Sequence, residues 1–315
     1  MPPRDEGVLP IVPDTPPRTW RVRGRDIDVA RPVILGILNV TPDSFSDGGM
    51  FASTEAALEQ AGRMVAEGAD AIDVGGQSTR PRGAREVSAT EEIERVVPVV
   101  GAVRARYPHL PISIDTTKSD VAQAALDAGA NVINDVSAFR LDPRMREIVA
   151  SSGAGAILMH SRGGVSEMAT YRWAEYGEDL VGEISLELAR SVSSALDAGV
   201  DEASIVVDPG IGFAKRSEHS LRVLAELARI GALGFPVMVG VSRKRFVGEL
   251  SGVDKAADRV AGTVAANVAA LLRGARLFRV HDVAASKQGL EVAWGILKAG
   301  SRSTDSRFPI PDSRC

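Results

Sequence analysis

The sequence predicts an α/β chain folded as a (β/α)8 TIM barrel, with a flexible N-terminal extension and a short N-terminal hairpin ahead of the barrel. Three observations predict it. Eight short apolar segments alternate with longer stretches that carry apolar residues at helical spacing. Several junctions before a strand repeat one pattern, "AEGADAIDV", "DAGANVIND", "SSGAGAILM" and "LRGARLFRV", with a glycine just ahead of the apolar run. Polar or ionisable residues recur where the apolar runs end. Near-continuous apolar strands between amphipathic helices mean a parallel sheet covered by helices. Eight such units in about 270 residues fit a closed barrel. A doubly wound sheet is the rival, but it would typically place Gly-x-Gly-x-x-Gly after an early strand, and none stands there.

Taken in order, residues 1–17 are proline-rich with acidic residues and read as a flexible extension. They lack an apolar run before a cleavage site, so no signal peptide is expected. Residues 20–28, "WRVRGRDID", read as a hairpin over the barrel bottom. Strands are expected at 33–39, 71–74, 112–115, 132–134, 156–159, 204–207, 237–239 and 277–280. Helices are expected at 55–67, 91–106, 119–127, 143–151, 179–198, 220–230, 256–272 and 283–298. Ile93, Val96, Val97, Val100 and Val103 show the helical spacing. The junction glycines suit helix C-caps. Residues 18–300 then form one barrel domain, and 301–315 read as a polar tail.

Composition narrows the function. At 315 residues and 44% hydrophobic, the chain can bury one large core. A net charge of −4 and a pI of about 5.7 give no global pull toward nucleic acid or an anionic membrane, so neither partner is expected. No run approaches the roughly 18 apolar residues of a membrane span. The one cysteine, Cys315, excludes a disulfide framework and a thiolate cluster. A reducing, cytoplasmic setting is the expectation.

The strand ends carry Asn39, Asp73, Asp115, Asn134, Met159 with His160, Asp208, the stretch "GVSRKRF" from Gly240, and Arg279 with His281. In a barrel that end is the active face. One Asp after a strand is ordinarily a turn or cap residue; recurrence at all eight ends is not capping. Asp115, Asn134 and Asp208 match the donor and acceptor edge of a flat, nitrogen-rich ring. Arg279 could stack on that ring or pair with a neighbouring Asp. Arg80, Lys244, Arg279 and His281, with the amides of Gly75 and Gly76, suit a phosphate or diphosphate. "DPGIGFAK" lacks the Gly-Lys-Ser/Thr of a Walker loop. Asn39 and Asp43 offer the oxygen ligands that suit Mg²⁺. Four scattered histidines make no zinc site.

These residues resemble the dihydropteroate synthase family. The matching stretches are "GILNVTPDSFSDGG", "DVGGQSTRP", "SIDTTKSDVAQAAL", "NDVS", "MHSRG", "DPGIGFAK", "GVSRKRF" and "RVHDV", in family order from Gly36 to Val283. The resemblance implies a (β/α)8 barrel, commonly a homodimer through late helices. It implies that (7,8-dihydropterin-6-yl)methyl diphosphate is joined to 4-aminobenzoate, with Mg²⁺, giving 7,8-dihydropteroate and diphosphate. On that pattern Asp115, Asn134, Asp208 and Lys244 hydrogen-bond the pterin and Arg279 stacks over it. Asn39 falls on the Mg²⁺-associated position, and Arg279 and His281 on the diphosphate pair. Asp73, Met159, Gly240 and Ser242 join the substrate contacts. Asp43, Phe45, Thr79, Arg80 and Pro81 belong to two loops that close over the site, and Phe213 and Lys244 shape the aminobenzoate pocket. Sulfonamides are the inhibitors such a pocket implies.

Three residues depart from the family pattern. Gln77 stands where a carboxylate is usual, Arg82 adds a cation, and Arg245 follows the motif lysine where many bacterial members have Ser. The expected mechanism is an SN1-like displacement. Diphosphate leaves, the reduced pterin stabilises the methylene cation, and the neutral arylamine attacks while closed loops exclude water. Gly48 and Gly49 would hinge the first loop. The alternatives are a pterin-binding paralogue without synthase activity, a pterin-dependent methyltransferase, and an aldolase using Lys244 as a Schiff base.

Overall fold

In a computed structural model, the structure describes residues 18–40, 49–77 and 87–301. A hairpin comes first: β1, Thr19–Val22, pairs antiparallel with β2, Arg25–Asp28. Arg23 (φ 47°) and Gly24 (φ 75°) are both left-handed, as a two-residue hairpin turn requires. The barrel strands are β3 Val33–Asn39, β4 Ala71–Gly75, β5 Ile112–Asp115, β6 Val132–Asp135, β7 Gly155–Met159, β8 Ile205–Asp208, β9 Met238–Val239 and β10 Leu277–Val280. Their order is β8-β7-β6-β5-β4-β3-β10-β9. Neighbouring strands pair in parallel throughout the described sheet. A bridge from Val207 to Val237 joins the last two edges and closes the barrel.

The helices are α1 Gly49–Ala66, α2 Ala89–Arg106, α3 Ser119–Asp127, α4 Arg144–Ser152, α5 Leu180–Asp197, α6 Ser217–Ala225, α7 Leu227–Gly231, α8 Arg245–Ser251, α9 Val260–Leu271 and α10 Val283–Ser301. Gly68, Gly129, Gly153 and Gly274 all have positive φ at the helix-to-strand junctions, as the repeated pattern predicts.

Strand alternation sorts the side chains into two cores. Ile34, Leu38, Ile72, Val74, Ile114, Ile133 and Phe278 face the helices. Val33, Leu35, Ala71, Val132, Ile157, Val206, Met238 and Leu277 share a second cluster inside the barrel with Trp20 and Val22 of the hairpin. Trp20 is fully buried, and its Nε1 donates to the Ser204 carbonyl at 2.7 Å. The hairpin therefore plugs the N-terminal end, as expected. The polar ends of the strands lie at the other end.

Several boundaries differ from the sequence reading. Helix α1 starts at Gly49, six residues before the expected 55, so Gly49 belongs to the helix rather than to a hinge. The expected helix at 220–230 breaks at Glu226 (φ −106°, ψ 22°), giving α6 and α7. The expected helix at 256–272 starts as a 3-10 turn at Ala256–Asp258 and resumes after Arg259. Arg259 leaves the helical path to donate to the carbonyls of Arg243, Lys244, Val253 and Asp254. Helix α8 was not expected; at seven residues it is too short to show a period. The extension at 1–17, the tail at 302–315 and Gly48 lie outside the described residues.

Candidate active site

The inward-facing residues change character along each strand. On β3 they run Val33, Leu35, Ile37, Asn39; on β4, Ala71, Asp73, Gly75; on β6, Val132, Asn134; on β10, Leu277, Arg279. Apolar residues fill the plugged end and polar ones reach the open mouth. Register lines them up: Asp115 lies beside Asn134 and Gly75, and Met159 beside Asp208.

One cavity at this mouth is lined by Asp115, Asn134, Met159, Asp208, Phe213, Gly240, Ser242, Lys244, Arg279 and His281, all expected from the sequence. Ile37, Val136, Ile211 and Met238 line it too and were not expected. Ile37 and Met238 share the inward parity of their strands, which is the signal that could have found them.

Asp73 is corrected. It is fully buried and does not line the cavity. Its Oδ2 accepts from Arg279 Nε at 2.5 Å, and both its oxygens face Asn134 Nδ2 at 3.2–3.4 Å. In this structure it holds Arg279 and Asn134. Arg279 also donates from Nη2 to Asp115 Oδ2 at 2.6 Å. The salt-bridge use of Arg279 is thus the one the structure displays. Burial pushes the Asp115 carboxyl up to about 7; Arg279 opposes this, and the neighbouring charge of Asp73 adds to it. The two carboxylates hold the Arg279 guanidinium above its already high range, against its burial.

Asn134 is 2% exposed and its orientation follows from chemistry. Carboxylates only accept, so Nδ2 must face Asp73 and Oδ1 must face away. Among the described residues, Oδ1 has no hydrogen-bond partner. Asp208 Oδ1 accepts from the Gly210 amide at 2.7 Å. Burial pushes Asp208 up to about 6, against that hydrogen bond and the charges of Lys244 and Lys215. Gly210 is required there: φ is +67°, and an added Cβ would lie 2.0 Å from the His160 carbonyl. Lys244 Nζ sits 4.0 Å over the Phe213 ring. Burial lowers Lys244 to about 8, with Asp208 opposing.

The loops after β9 and β10 are stitched together. Ser242 Oγ accepts from the His281 amide at 3.1 Å and lies 3.0 Å from His281 Nδ1. Arg243 pairs with Asp282 through Nε (2.9 Å) and Nη2 (2.6 Å). Gly75 borders Asp115 and Asn39, on the cavity side. Gly76 does not: a Cβ there would strike Val96 and Glu92 of α2 at 2.7 and 2.9 Å, so it is a packing glycine. Asp135, also at a strand end, is a loop staple. Its carboxylate accepts from the Ser137 amide and hydroxyl and the Phe139 amide, and burial raises it to about 6.

Gln77 Oε1 accepts from Lys118 Nζ at 2.5 Å, and Lys118 also pairs with Glu92, whose side chain is 1% exposed. A neutral residue at 77 leaves one cation facing one carboxylate. Arg245 is exposed and lies 4.9 Å from the Tyr171 ring centroid. Asp43, Phe45, Thr79, Arg80, Pro81 and Arg82 lie outside the described residues.

The family model described as pterin binding enzyme matches residues 35–281. The chain belongs to the pterin-binding enzyme family. Within that family it is 46% identical over 263 residues to the dihydropteroate synthase of Synechocystis sp., covering 84% of this chain and 89% of that one. It is 44% identical to the Mycobacterium leprae dihydropteroate synthase, over 85% and 94% of the two chains. Among solved structures, the Xanthomonas albilineans dihydropteroate synthase with 4-aminobenzoic acid superposes with a TM-score of 0.81 at 43% identity, covering 89% and 99%. The same enzyme with 7,8-dihydropteroate gives 0.78 at 41% identity, covering 89% and 99%.

Proposed function

We infer that this chain is a dihydropteroate synthase, joining (7,8-dihydropterin-6-yl)methyl diphosphate to 4-aminobenzoate with release of diphosphate. The unpartnered, buried Oδ1 of Asn134, set between Asp115 and Asp208, carries the reading. A buried acceptor without a donor costs about 1–3 kcal/mol, and a flat ring with N–H groups would supply the donor. Asp115 and Asp208 extend the same edge. A pterin seated there puts its methylene toward Arg279 and His281. Those two groups meet the diphosphate through the guanidinium and the imidazole.

The amine of 4-aminobenzoate is neutral at working pH, so it needs no base before it attacks. Breaking the C–O bond first places positive charge on the pterin methylene, and Asp115 supports that charge electrostatically. Lys244 orients the ring, and its place over Phe213 defines the wall against which the arylamine lies. Asn39, at the end of β3 beside Gly75, offers one amide oxygen for Mg²⁺. One protein oxygen fits an ion that takes its other ligands from phosphate and water. Bound there, Mg²⁺ would offset charge on the leaving diphosphate.

Further readings belong to the same proposal. Sulfonamides would compete for the arylamine pocket, supported by the Yersinia pestis dihydropteroate synthase structure with a sulfonamide, 38% identical with a TM-score of 0.81. Leu250, Leu272, Val292 and Ile296 are 55–68% exposed late in the chain, which supports a homodimer through this face. No described helix is long and apolar enough to cross a membrane. The deciding assay is diphosphate release from the pterin diphosphate with Mg²⁺, with and without 4-aminobenzoate, alongside dihydropteroate detection. Release tied to product establishes the synthase. Pterin binding with no product replaces it with a non-catalytic or methyl-transferring relative.

A further inference from the structure

Lys215 is 1% exposed and is among the largest fully buried side chains, yet among the described residues no carboxylate pairs with its ammonium. Among the described residues its Nζ meets His160 Nδ1 at 2.8 Å and the Phe213 carbonyl at 3.0 Å. His160 is itself 3% exposed, and its Nε2 lies 3.0 Å from Glu187 Oε2 on α5. A carboxylate can only accept, so His160 Nε2 carries the proton and Nδ1 accepts. Lys215 then donates to that nitrogen. The chain has one direction, Lys215 to His160 to Glu187, and it holds whether the amine is charged or neutral. Burial depresses both His160, to about 4, and Lys215, to about 7, and the neutral imidazole fits this direction.

The surroundings lock the chain further. Arg162 grips Glu187 from Nε (3.1 Å) and also pairs with Glu183 (2.9 Å). Its guanidinium lies 4.0 Å from the Tyr176 ring centroid, and Tyr176 O–H donates to the Ala214 carbonyl at 3.0 Å. The Ala214 amide donates to the Met168 carbonyl. Ala214 has φ +46°, a left-handed conformation that a residue with a Cβ keeps only when its surroundings impose it. Two consecutive carbonyls are thus held: that of Phe213 by Lys215, which is anchored to the β7 loop and α5 through His160 and Glu187, and that of Ala214 by Tyr176 of the β7 loop. The side chain between those grips and the cavity is Phe213, the ring beneath Lys244.

We propose that Lys215 is a positioning residue for the arylamine pocket: oriented by His160 and Glu187, it fixes the Phe213 carbonyl and so the ring that forms the pocket wall. The inference rests on the synthase reading. It adds a buried residue behind the pocket that touches neither substrate. Lys215→Met keeps the apolar stem and leaves the Phe213 carbonyl and His160 Nδ1 without their donor. Glu187→Gln, at the half-buried end of the chain, lets an amide N–H face His160 and permits the opposite tautomer.

Steady-state kinetics at pH 8, above the range where Asp208 titrates, tests this. The unaltered chain is measured first. Lys215→Met is expected to raise KM for 4-aminobenzoate about tenfold, with kcat and the pterin KM within about twofold. Glu187→Gln is expected to shift the same KM by about threefold. The double variant should match Lys215→Met alone, because both changes act through one chain. Additive losses, a pterin KM that moves in step, or an unshifted aminobenzoate KM in Lys215→Met overturn the proposal while leaving the synthase reading standing. If Lys215→Met does not fold, the selectivity of Glu187→Gln for the aminobenzoate KM decides alone. No product from the unaltered chain overturns the synthase reading and this proposal with it.

Discussion

Asp73 and Arg279 stand 206 residues apart in the chain and 2.5 Å apart in the barrel, Oδ2 to Nε. The same guanidinium reaches Asp115 at 2.6 Å, so one cation spans two inward carboxylates from neighbouring strands.

That bridge predicts the effect of its removal. Arg279→Ala leaves two buried carboxylates without their cation and is expected to lower unfolding free energy by about 3–5 kcal/mol in urea titration. Arg279→Lys retains a charge but not the fork. It should fold, with kcat/KM down by roughly 100-fold in the dihydropteroate assay.

Asn134 separates binding from stability. Asn134→Leu removes the acceptor that has no partner and also the Nδ2 donor to Asp73, whose carboxylate keeps Arg279, so stability should fall by no more than about 1–3 kcal/mol. Pterin affinity, measured by calorimetry, should fall by about 10–100-fold. A large loss of stability with unchanged affinity would make Asn134 a structural residue.

Asp115 gives a pH dependence with a definite sign. Its carboxyl titrates near 7 in the fold against 3.8 for an ordinary Asp. Between those values the folded state keeps a proton that the unfolded state has released. Stability therefore falls as pH rises across that window and levels above it, by at most about 1.4 kcal/mol per pH unit. Asp115→Asn removes this contribution. The stability of the unaltered chain relative to Asp115→Asn should decline from pH 4 to pH 7, read by urea melts at each pH.

Lys118 carries the second buried charge pair. Lys118→Met strands Glu92 in the protein interior and is expected to cost about 3–5 kcal/mol. Adding Glu92→Gln should recover most of it, since no charge is then left unpaired. Thermal melts of the two variants side by side check this, and equal losses would exclude the ion pair as the cause.

Much of this was legible in the residues. The eight strands fall within a residue or two of the expected positions, and all four junction glycines adopt the left-handed conformation. Ten expected residues meet in one cavity: Asp115, Asn134, Met159, Asp208 and Arg279 because strand alternation sends one parity inward, and the others because the loops that follow the strands close around the same mouth. Asp73 shares that parity but is fully buried and lies outside the cavity lining, paired with Arg279 and Asn134, which parity alone does not specify. Helix α8 was illegible because seven residues show no period, and α9 was shortened by Arg259 turning to cap the loop of Arg243 and Lys244.

By itself the sequence determined the alternation of strand and helix, the plugged and open ends of the barrel, and the kinds of residue at the mouth. These depend on periodicity and on local backbone preference, which a chain carries along its length. Only the tertiary structure decided which buried charges meet: Asp73 with Arg279, Lys118 with Glu92, Lys215 with His160. Desolvation and Coulomb energies depend on distance through space and on burial, and sequence separation specifies neither.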